Sequence, residues 1–382
     1  MKLIKTYKYK LRPNKTQIAT FESWLGINRY LYNIALEHRI TAYQSNKTSI
    51  SKFEQYNQLK ECKDTAELSF LKLVHSQVLQ ETLDRVDKAF KNFFRGSGFP
   101  RFQKKGFYNS FTFKQGIRLE CNKIRLPKIG FVRFFNSRRF EGKIKTATII
   151  KELDSWYVCI TVEEQPTIRL NSQEVGIDMG VAKLATLSNG RVIENPKFLS
   201  KFKSKIRILN RKLARQKKGS NLREKTKSKL AKTYQKLRRC RLDYIHKATT
   251  NITNEYGTIY VEDLKLSNMT KSAKGNSEKP GKNVKAKSGL NRSLLDSSIG
   301  IFLNQLEYKT AFKSGDFQKV NPQYTSQTCC ECGYKSKNNR KTQSKFECLD
   351  CGHSDNADIN AAKNIIGLGK SKSRQRGALA RA

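Results

Sequence analysis

Four cysteines in the C-terminal third constrain this chain more than any other feature. Cys329 and Cys332 form one Cys-x-x-Cys pair and Cys348 and Cys351 a second, with residues 333–347 between them. A two-residue gap lets one tight turn present both thiolates to a single ion, and Zn2+ takes four ligands tetrahedrally, with thiolates among the best of them. The spacing is that of a zinc ribbon. It implies one structural zinc with every position filled by sulfur, leaving none open for catalysis. Disulfides or idle thiols are the bland alternative, and two regularly spaced pairs argue against them. Cys330, inside the first pair, reads as a bystander.

A ribbon alone implies a small nucleic-acid or protein-binding module, but the charge of the chain implies more. Lys and Arg number 76 against 32 acidic residues, a formal net charge of +44 over 382 residues. Such a chain repels itself unless a polyanion neutralises it. Nucleic acid is the natural partner, because each neutralised phosphate releases condensed counterions. An anionic membrane surface is the competing reading, but no apolar run approaches the roughly 18 residues of a span. The start, Met1-Lys2-Leu3-Ile4-Lys5, lacks the apolar core of a signal peptide. Nine cysteines, five of them scattered or odd, fit a reducing compartment. These features place the protein in the cytoplasm, in association with the nucleoid.

The length allows about two to four domains. Near the N-terminus Tyr7, Tyr9 and Leu11 alternate with Lys8, Lys10 and Arg12, the pattern of a half-exposed strand with a basic face. Pro13-Asn14 ends it. Ile18, Phe21 and Leu25 then recur at helical spacing, a second helix is expected over 29–39, and Leu79, Leu83, Val86, Phe90 and Phe93 mark a third. From Gly98-Phe99-Pro100-Arg101-Phe102 onward, short runs rich in aromatic and β-branched residues (110–113, 131–134, 146–151, 156–162) suggest a small β-barrel. If the first strand joins it, the helical block is an insertion. Phe102, Phe107, Phe111 and Phe113 interleave with Lys104 and Lys105, which suits either base stacking with phosphate contact or a barrel core with a solvated face.

Further along, Val175-Gly176-Ile177-Asp178-Met179-Gly180 is an apolar strand ending in a carboxylate. Lys183–Leu187, Asn189-Gly190 and Arg191-Val192 read as a hairpin. Residues 201–240 carry 17 Lys/Arg and a single acid, Glu224, with apolar positions at Phe202, Ile206, Leu209, Leu213, Leu230, Tyr234 and Leu237. This predicts a helical hairpin with a basic outer face, more charge than solubility requires and suited to phosphates. Thr258-Ile259-Tyr260-Val261-Glu262 is another strand ending in an acid, with Asp263 as the adjacent alternative. Residues 267–292 read as a mobile basic loop, 294–310 as a helix, and 369–382 as a basic, frayed tail.

Three acids share a description. Asp178 and Glu262 end apolar strands, and Asp358 opens a helix with small residues at Ala361 and Ala362. Taken singly, Asp178 reads more readily as a turn cap than as a catalyst. If the two strands are neighbours, their ends lie about 5 to 10 Å apart. Clustered carboxylates repel one another unless a cation sits among them. Mg2+ prefers such hard oxygens, and two ions about 4 Å apart can activate a water and stabilise the leaving oxygen of a phosphodiester.

With these motifs in hand, the chain resembles the TnpB family of transposon-encoded proteins of bacteria and archaea, from which type V CRISPR nucleases descend. The resemblance rests on Gly176 to Val181, Val261-Glu262-Asp263-Leu264, Asn321 to Cys329, Asn356 to Ile365 and the early Gly98 to Phe102 segment, and runs from about residue 3 to 366. Met179 stands where leucine is common, a volume-conserving difference. The resemblance implies an α+β multidomain fold. Its expected parts are a wedge β-barrel (1–12 plus 97–170), a helical recognition insertion (13–96), a RuvC-like, ribonuclease H-like nuclease domain (171–326 plus 353–368) holding a basic helical hairpin (201–250), and a zinc ribbon inserted at 327–352. It implies Asp178, Glu262 and Asp358 as the catalytic, Mg2+-binding acids, with Asp263 and Asp355 as neighbours, and Arg340 near the scissile phosphate. It further implies a guide RNA from the transposon end, cleavage of double-stranded DNA beside a short flanking motif, a prokaryotic cytoplasm and a monomer. Base pairing would read sequence while protein reads duplex shape and the flanking motif.

Three other readings compete: a nuclease-inactive RNA-guided repressor, an accessory transposase protein, and a zinc-ribbon RNA-binding protein without catalysis. All three acids are present, which weighs against the first. His38, His75, His246 and His353 are far apart in the chain, which weighs against a His-hydrophobic-His transposase site.

Overall fold

Alternation of apolar and basic residues makes β1 (Leu3–Arg12) the organising strand of the N-terminal unit: Tyr7, Tyr9 and Leu11 are buried while Lys8, Lys10 and Arg12 face outward. The computed structural model describes residues 3–166 and 171–379, with side chains of the last helix to residue 371, and divides into two compact units, Met1–Gln165 and Pro166–Ala382.

In the first unit β1 is followed by α1 (Lys15–Asn46), α2 (Lys52–Asp64), a 3-10 turn (Ser69–Leu73) and α3 (Ser76–Phe94), and then by strands β2 (Ser110–Phe113), β3 (Arg118–Glu120), β4 (Lys123–Leu126), β5 (Gly130–Phe134), β6 (Lys143–Glu152) and β7 (Ser155–Glu164). The sheet runs β2-β6-β7-β1-β5-β4-β3. β1 pairs along most of its length with β7 and through Leu11 and Arg12 with β5, so the helices lie in sequence between strands of one sheet. β2 and β3 stand at the ends of this order, with no pairing between them among the described residues.

Asn14 caps α1 through a capping box with Gln17. Where two helices were expected, α1 continues unbroken. Asn28, fully buried, is satisfied inside the helix bundle: its amide donates to the Trp24 carbonyl at 2.7 Å and its oxygen accepts from Thr82 on α3 at 2.7 Å. The interleaved aromatics divide between both readings. Phe111 and Phe113 are core residues, while Phe102 and Phe107 are 52% and 75% exposed.

The second unit contains β8 (Glu174–Met179), β9 (Lys183–Leu187), β10 (Val192–Glu194), α4 (Phe198–Arg215), α5 (Asn221–Glu255), β11 (Thr258–Glu262), α6 (Leu266–Met269), α7 (Val284–Ser297), α8 (Ile299–Phe312), β12 (Asp316–Val320), β13 (Lys345–Glu347), β14 (Ser354–Asn356) and α9 (Ala357–Leu379). Its main sheet runs β10-β9-β8-β11-β12, with β8, β11 and β12 parallel. β11 is buried along Ile259 to Glu262, as a strand covered on both faces must be. On one face Val175, Ile177, Ile259 and Val261 pack with Ile245 and Ile252 of α5 and Phe302 and Leu306 of α8; on the other Tyr260 packs with Ile365 of α9.

The basic hairpin is α4 and α5. Ile206 and Leu237 are buried as expected, whereas Tyr234 is exposed and Thr226 and Thr233 take the inner positions. The stretch read as a mobile loop, 267–292, holds most of α6, a Gly275–Pro280 bridge and the first half of α7. The helix read over 294–310 breaks at Ser298, whose φ of 57° is left-handed. The tail expected to fray from 369 is helical to Leu379; 380–382 lie outside the described residues.

Helix α9 meets the sheet at glycines. A Cβ on Gly176 would collide with the Ala362 carbonyl oxygen and stand 2.8 Å from Ile366 Cγ1, and one on Gly369 would collide with the Tyr260 ring. Gly176→Ala should therefore cost about 2–4 kcal/mol in urea or thermal unfolding by prising α9 from β8. Gly289→Ala, in the exposed middle of α7 with open space around its Cα, should stabilise by about 0.5–1 kcal/mol. Equal effects of the two substitutions would refute this account of the packing.

Candidate active site

Strand parity decides which face each carboxylate takes. On β8, Gly176 lies against Ala362 of α9, so Asp178, two residues on, shares that face. On β11, Tyr260 packs against Ile365, so Glu262 points the same way. The parallel register pairs Val261 with Ile177, which sets Glu262 and Asp178 side by side one residue further. Asp358 lies four residues before Ala362 on a helix running opposite to β8. The step from Gly176 to Asp178 is about 6.6 Å along the strand, and that from Ala362 back to Asp358 about 6 Å along the helix. Both lead to the same edge of the sheet.

The three acids line one cleft of about 280 Å³ together with Thr325, Arg340 and Gln343. Glu262 is 8% exposed and accepts a 2.6 Å hydrogen bond from the Thr325 hydroxyl. Arg340 Nη2 stands 3.7 Å from Asp358 Oδ1 and donates to the Gln343 carbonyl at 2.9 Å. Burial, then the Glu262 and Asp358 carboxylates, push Asp178 up to about 7, and Arg340 opposes them. Burial also raises Glu262, against the Thr325 hydrogen bond. The carboxylate oxygens are less tightly gathered than the cysteine sulfurs, for they do not form a set lying within 4.8 Å of one another. Hard, mutually repelling carboxylate oxygens around one cleft are a donor set that could hold Mg2+. Asp263 lies outside the cleft, paired with Lys265 at 2.7 Å, and Asp355 is held by Lys363 at 2.9 Å.

The four ribbon cysteines come together. Cys332 and Cys348 sulfurs are 3.6 Å apart, Cys329 and Cys351 3.7 Å, and all four lie within 4.8 Å. Thiolates at about 2.3 Å from a tetrahedral zinc stand about 3.8 Å apart, so the donor set fits that ion. Gly333 and Gly352, both left-handed, follow the two knuckles. The fully buried Asn339 ties them together, donating to the Gln327 and Tyr334 carbonyls and accepting from Leu349 N–H, each at 3.1 Å.

Sequence reasoning missed the side chains that hold this assembly to α9. Asn360 donates to the Thr328 carbonyl at 2.8 Å and accepts from Cys330 N–H at 3.0 Å, and Asn364 donates to the Thr325 and Thr328 carbonyls at 2.9 and 2.7 Å. Two asparagines four residues apart on one helix face were the available signal. Thr325, inside the Asn321 to Cys329 motif, had no local pattern to betray its reach to Glu262. Cys330 proves to have neighbours of its own, 3.6 Å from His353 Nε2 and 3.7 Å from Glu331 Oε1.

The raised Asp178 carboxyl has a consequence for stability. The folded ion-free protein holds this proton more firmly than the unfolded chain, whose ordinary value is 3.8, so its stability falls as pH rises from about 4 through about 7. Asp178→Asn should flatten that slope and raise ion-free stability at about pH 8 by an amount on the order of 1–4 kcal/mol. Mg2+ should then stabilise the wild type more than the variant. Calorimetry across this pH range, with chelator and with Mg2+, makes the comparison; identical slopes for both proteins would exclude the proposed burial of charge.

The chain matches the sequence profile of a family described as "Probable transposase" over residues 157–273, a Cas12f1-like TNB domain over 300–365 and a helix-turn-helix domain over 1–48. It is 40% identical over 374 residues to InsQ of Escherichia coli K12, named provisionally as an RNA-guided DNA endonuclease, covering 97% of this chain and 93% of that protein. A protein of Streptomyces pristinaespiralis with the same provisional designation is 29% identical, covering 96% and 89%. Among solved structures, the fold is similar to Cas12f1 in its complex with single guide RNA and target DNA, with a TM-score of 0.53 and 17% identity, covering 91% of this chain and 82% of that one. Near-full-length identity at this level settles the kinship: the chain belongs to the TnpB family.

Proposed function

We propose that this protein is an RNA-guided DNA endonuclease that hydrolyses phosphodiester bonds in double-stranded DNA beside a short flanking motif and thereby serves transposon maintenance. The observation that carries the reading is the placement of Asp178, Glu262 and Asp358 on one sheet edge around one cleft. Full-length relatives named for the same activity support it. In this reading residues 171–326 and 353–368 form a RuvC-like nuclease domain, 327–352 a zinc ribbon and 13–96 a recognition block, in a monomer of the bacterial cytoplasm.

Magnesium held by the three carboxylates supplies neutralisation of the phosphate and an activated water. The chain's own residues set the conditions for that chemistry. Thr325 orients Glu262 by its hydrogen bond, which commits one carboxylate oxygen. Asp178, whose carboxyl burial and its like-charged neighbours push up to about 7, would give up its proton if a cation compensated it. Arg340, half-exposed at the cleft and within ion-pair distance of Asp358, is placed to meet an incoming phosphate. The basic outer faces of α4 and α5 suit an RNA backbone, and the exposed Phe102 and Phe107 suit stacking on unpaired bases. No helix among the described residues is long and apolar enough to cross a membrane.

Sequencing the RNA that co-purifies with the protein should yield a species whose 3′ end supplies the programmable guide. With that RNA, Mg2+ and a target library, the wild type should cleave. Asp178→Ala should lose at least about a thousandfold in cleavage rate while retaining RNA and target binding in gel-shift assays. Cleavage retained by the variant would remove Asp178 from the chemistry. A wild type that binds matched DNA yet leaves it intact would favour the repressor reading.

A further inference from the structure

Beside the four-cysteine set stands a second group of metal-ligating side chains. Cys330 Sγ, one Glu331 carboxylate oxygen and a His353 ring nitrogen lie within 4.8 Å of one another. Cys330 and Glu331 occupy the two positions inside the first knuckle, and His353 follows the second, just before β14. The distances are those of tetrahedral edges. A thiolate about 2.3 Å and an imidazole nitrogen about 2.0–2.1 Å from one zinc are about 3.6 Å apart, and a thiolate and a carboxylate oxygen about the same. The structure has 3.6 Å for Cys330 to His353 and 3.7 Å for Cys330 to Glu331. They match the sulfur–sulfur distances of 3.6 and 3.7 Å in the adjoining ribbon set.

The surroundings also suit an ion. Asp355 Oδ2 approaches His353 Nε2 to 4.0 Å but is claimed by Lys363 at 2.9 Å, so it does not join the set. Glu331 is exposed while Cys330 and His353 are partly buried, leaving a path from solvent. The bland explanation is a hydrogen-bonded chain from imidazole to thiol to carboxylate, in which the thiol is only a weak donor and acceptor.

We propose that Cys330, Glu331 and His353 form a second transition-metal site, separate from the four-cysteine site, taking Zn2+ or an ion of similar softness with three protein ligands and one exchangeable position. Thiolate, imidazole and carboxylate together favour zinc over Mg2+ or Ca2+. Asn360, one turn or less beyond Asp358, already binds the Cys330 N–H at 3.0 Å. An ion here therefore braces the first knuckle, the start of β14 and the first turn of α9 against one another.

The test counts ions in the full-length protein carrying its co-purified RNA. After equilibration with Zn2+ and desalting, elemental analysis should find about two zinc ions per wild-type chain and about one in Cys330→Ser and in His353→Gln. Glu331→Gln, at an exposed position, should hold the second ion several-fold more weakly, with circular dichroism used to check that each variant is folded. Adding Co2+ to protein whose four-cysteine site already holds zinc should bring out a thiolate-to-cobalt charge-transfer band in the wild type and none in Cys330→Ser. One ion per wild-type chain, or a second ion retained by all three variants, overturns the proposal.

Discussion

Helix α9 comes close to the sheet where side chains are missing, at Gly176 on the strand and at Gly369 on the helix itself. At Gly176 the helix backbone lies where a side chain would otherwise be, and at Gly369 the Tyr260 ring fills the corresponding space. Ala361 and Ala362 are likewise buried and small. This close approach fixes the depth of Asp358 relative to Asp178, and so the cleft itself. Small residues here serve proximity rather than flexibility, the same reason they occur wherever backbones pack closely.

The cleft works against the folding of its own charges. Burying Asp178 beside Glu262 and Asp358 is unfavourable without a cation, and the chain offsets the penalty only in part, through the Thr325 hydrogen bond and the Arg340 guanidinium. Packing elsewhere must hold the acids in place: Val175, Ile177, Ile259 and Val261 lock both strands into the core on the face opposite the carboxylates. Stable apolar strands ending in unstable charged tips are how a rigid sheet presents a reactive edge.

Much of this was legible in the residues because periodicity and spacing are local. The cysteine pairs, the alternation in β1 and the acid-terminated strands all speak over a few positions, and each is found where it was expected. What escaped depends on partners distant in the chain. Asn28, buried in α1, is satisfied by Thr82, 54 residues away. Ser298 ends α7 through a left-handed backbone that its residue type does not advertise. Thr325, Asn360 and Asn364 act across 63, 32 and 39 residues. Cys330 looked idle because its neighbours His353 and Glu331 meet it only once both knuckles are folded. The lysine-rich stretch before α7 was read as mobile from composition, which does not reveal that Lys287 and Asn291 bond to the backbone at Met269 and Thr270.

The four clustered cysteines lie between β12 and α9, so the third carboxylate is translated after both Cys-x-x-Cys pairs. During synthesis the ribosome therefore releases two acids early and the last one near the end, some 180 residues after Asp178 by their numbers. A nascent or truncated chain ending between Cys351 and Asp358 carries all four thiolates and the basic hairpin, but only two of the three carboxylates. Such a fragment would keep basic surface for nucleic acid and lack the third member of the carboxylate cluster.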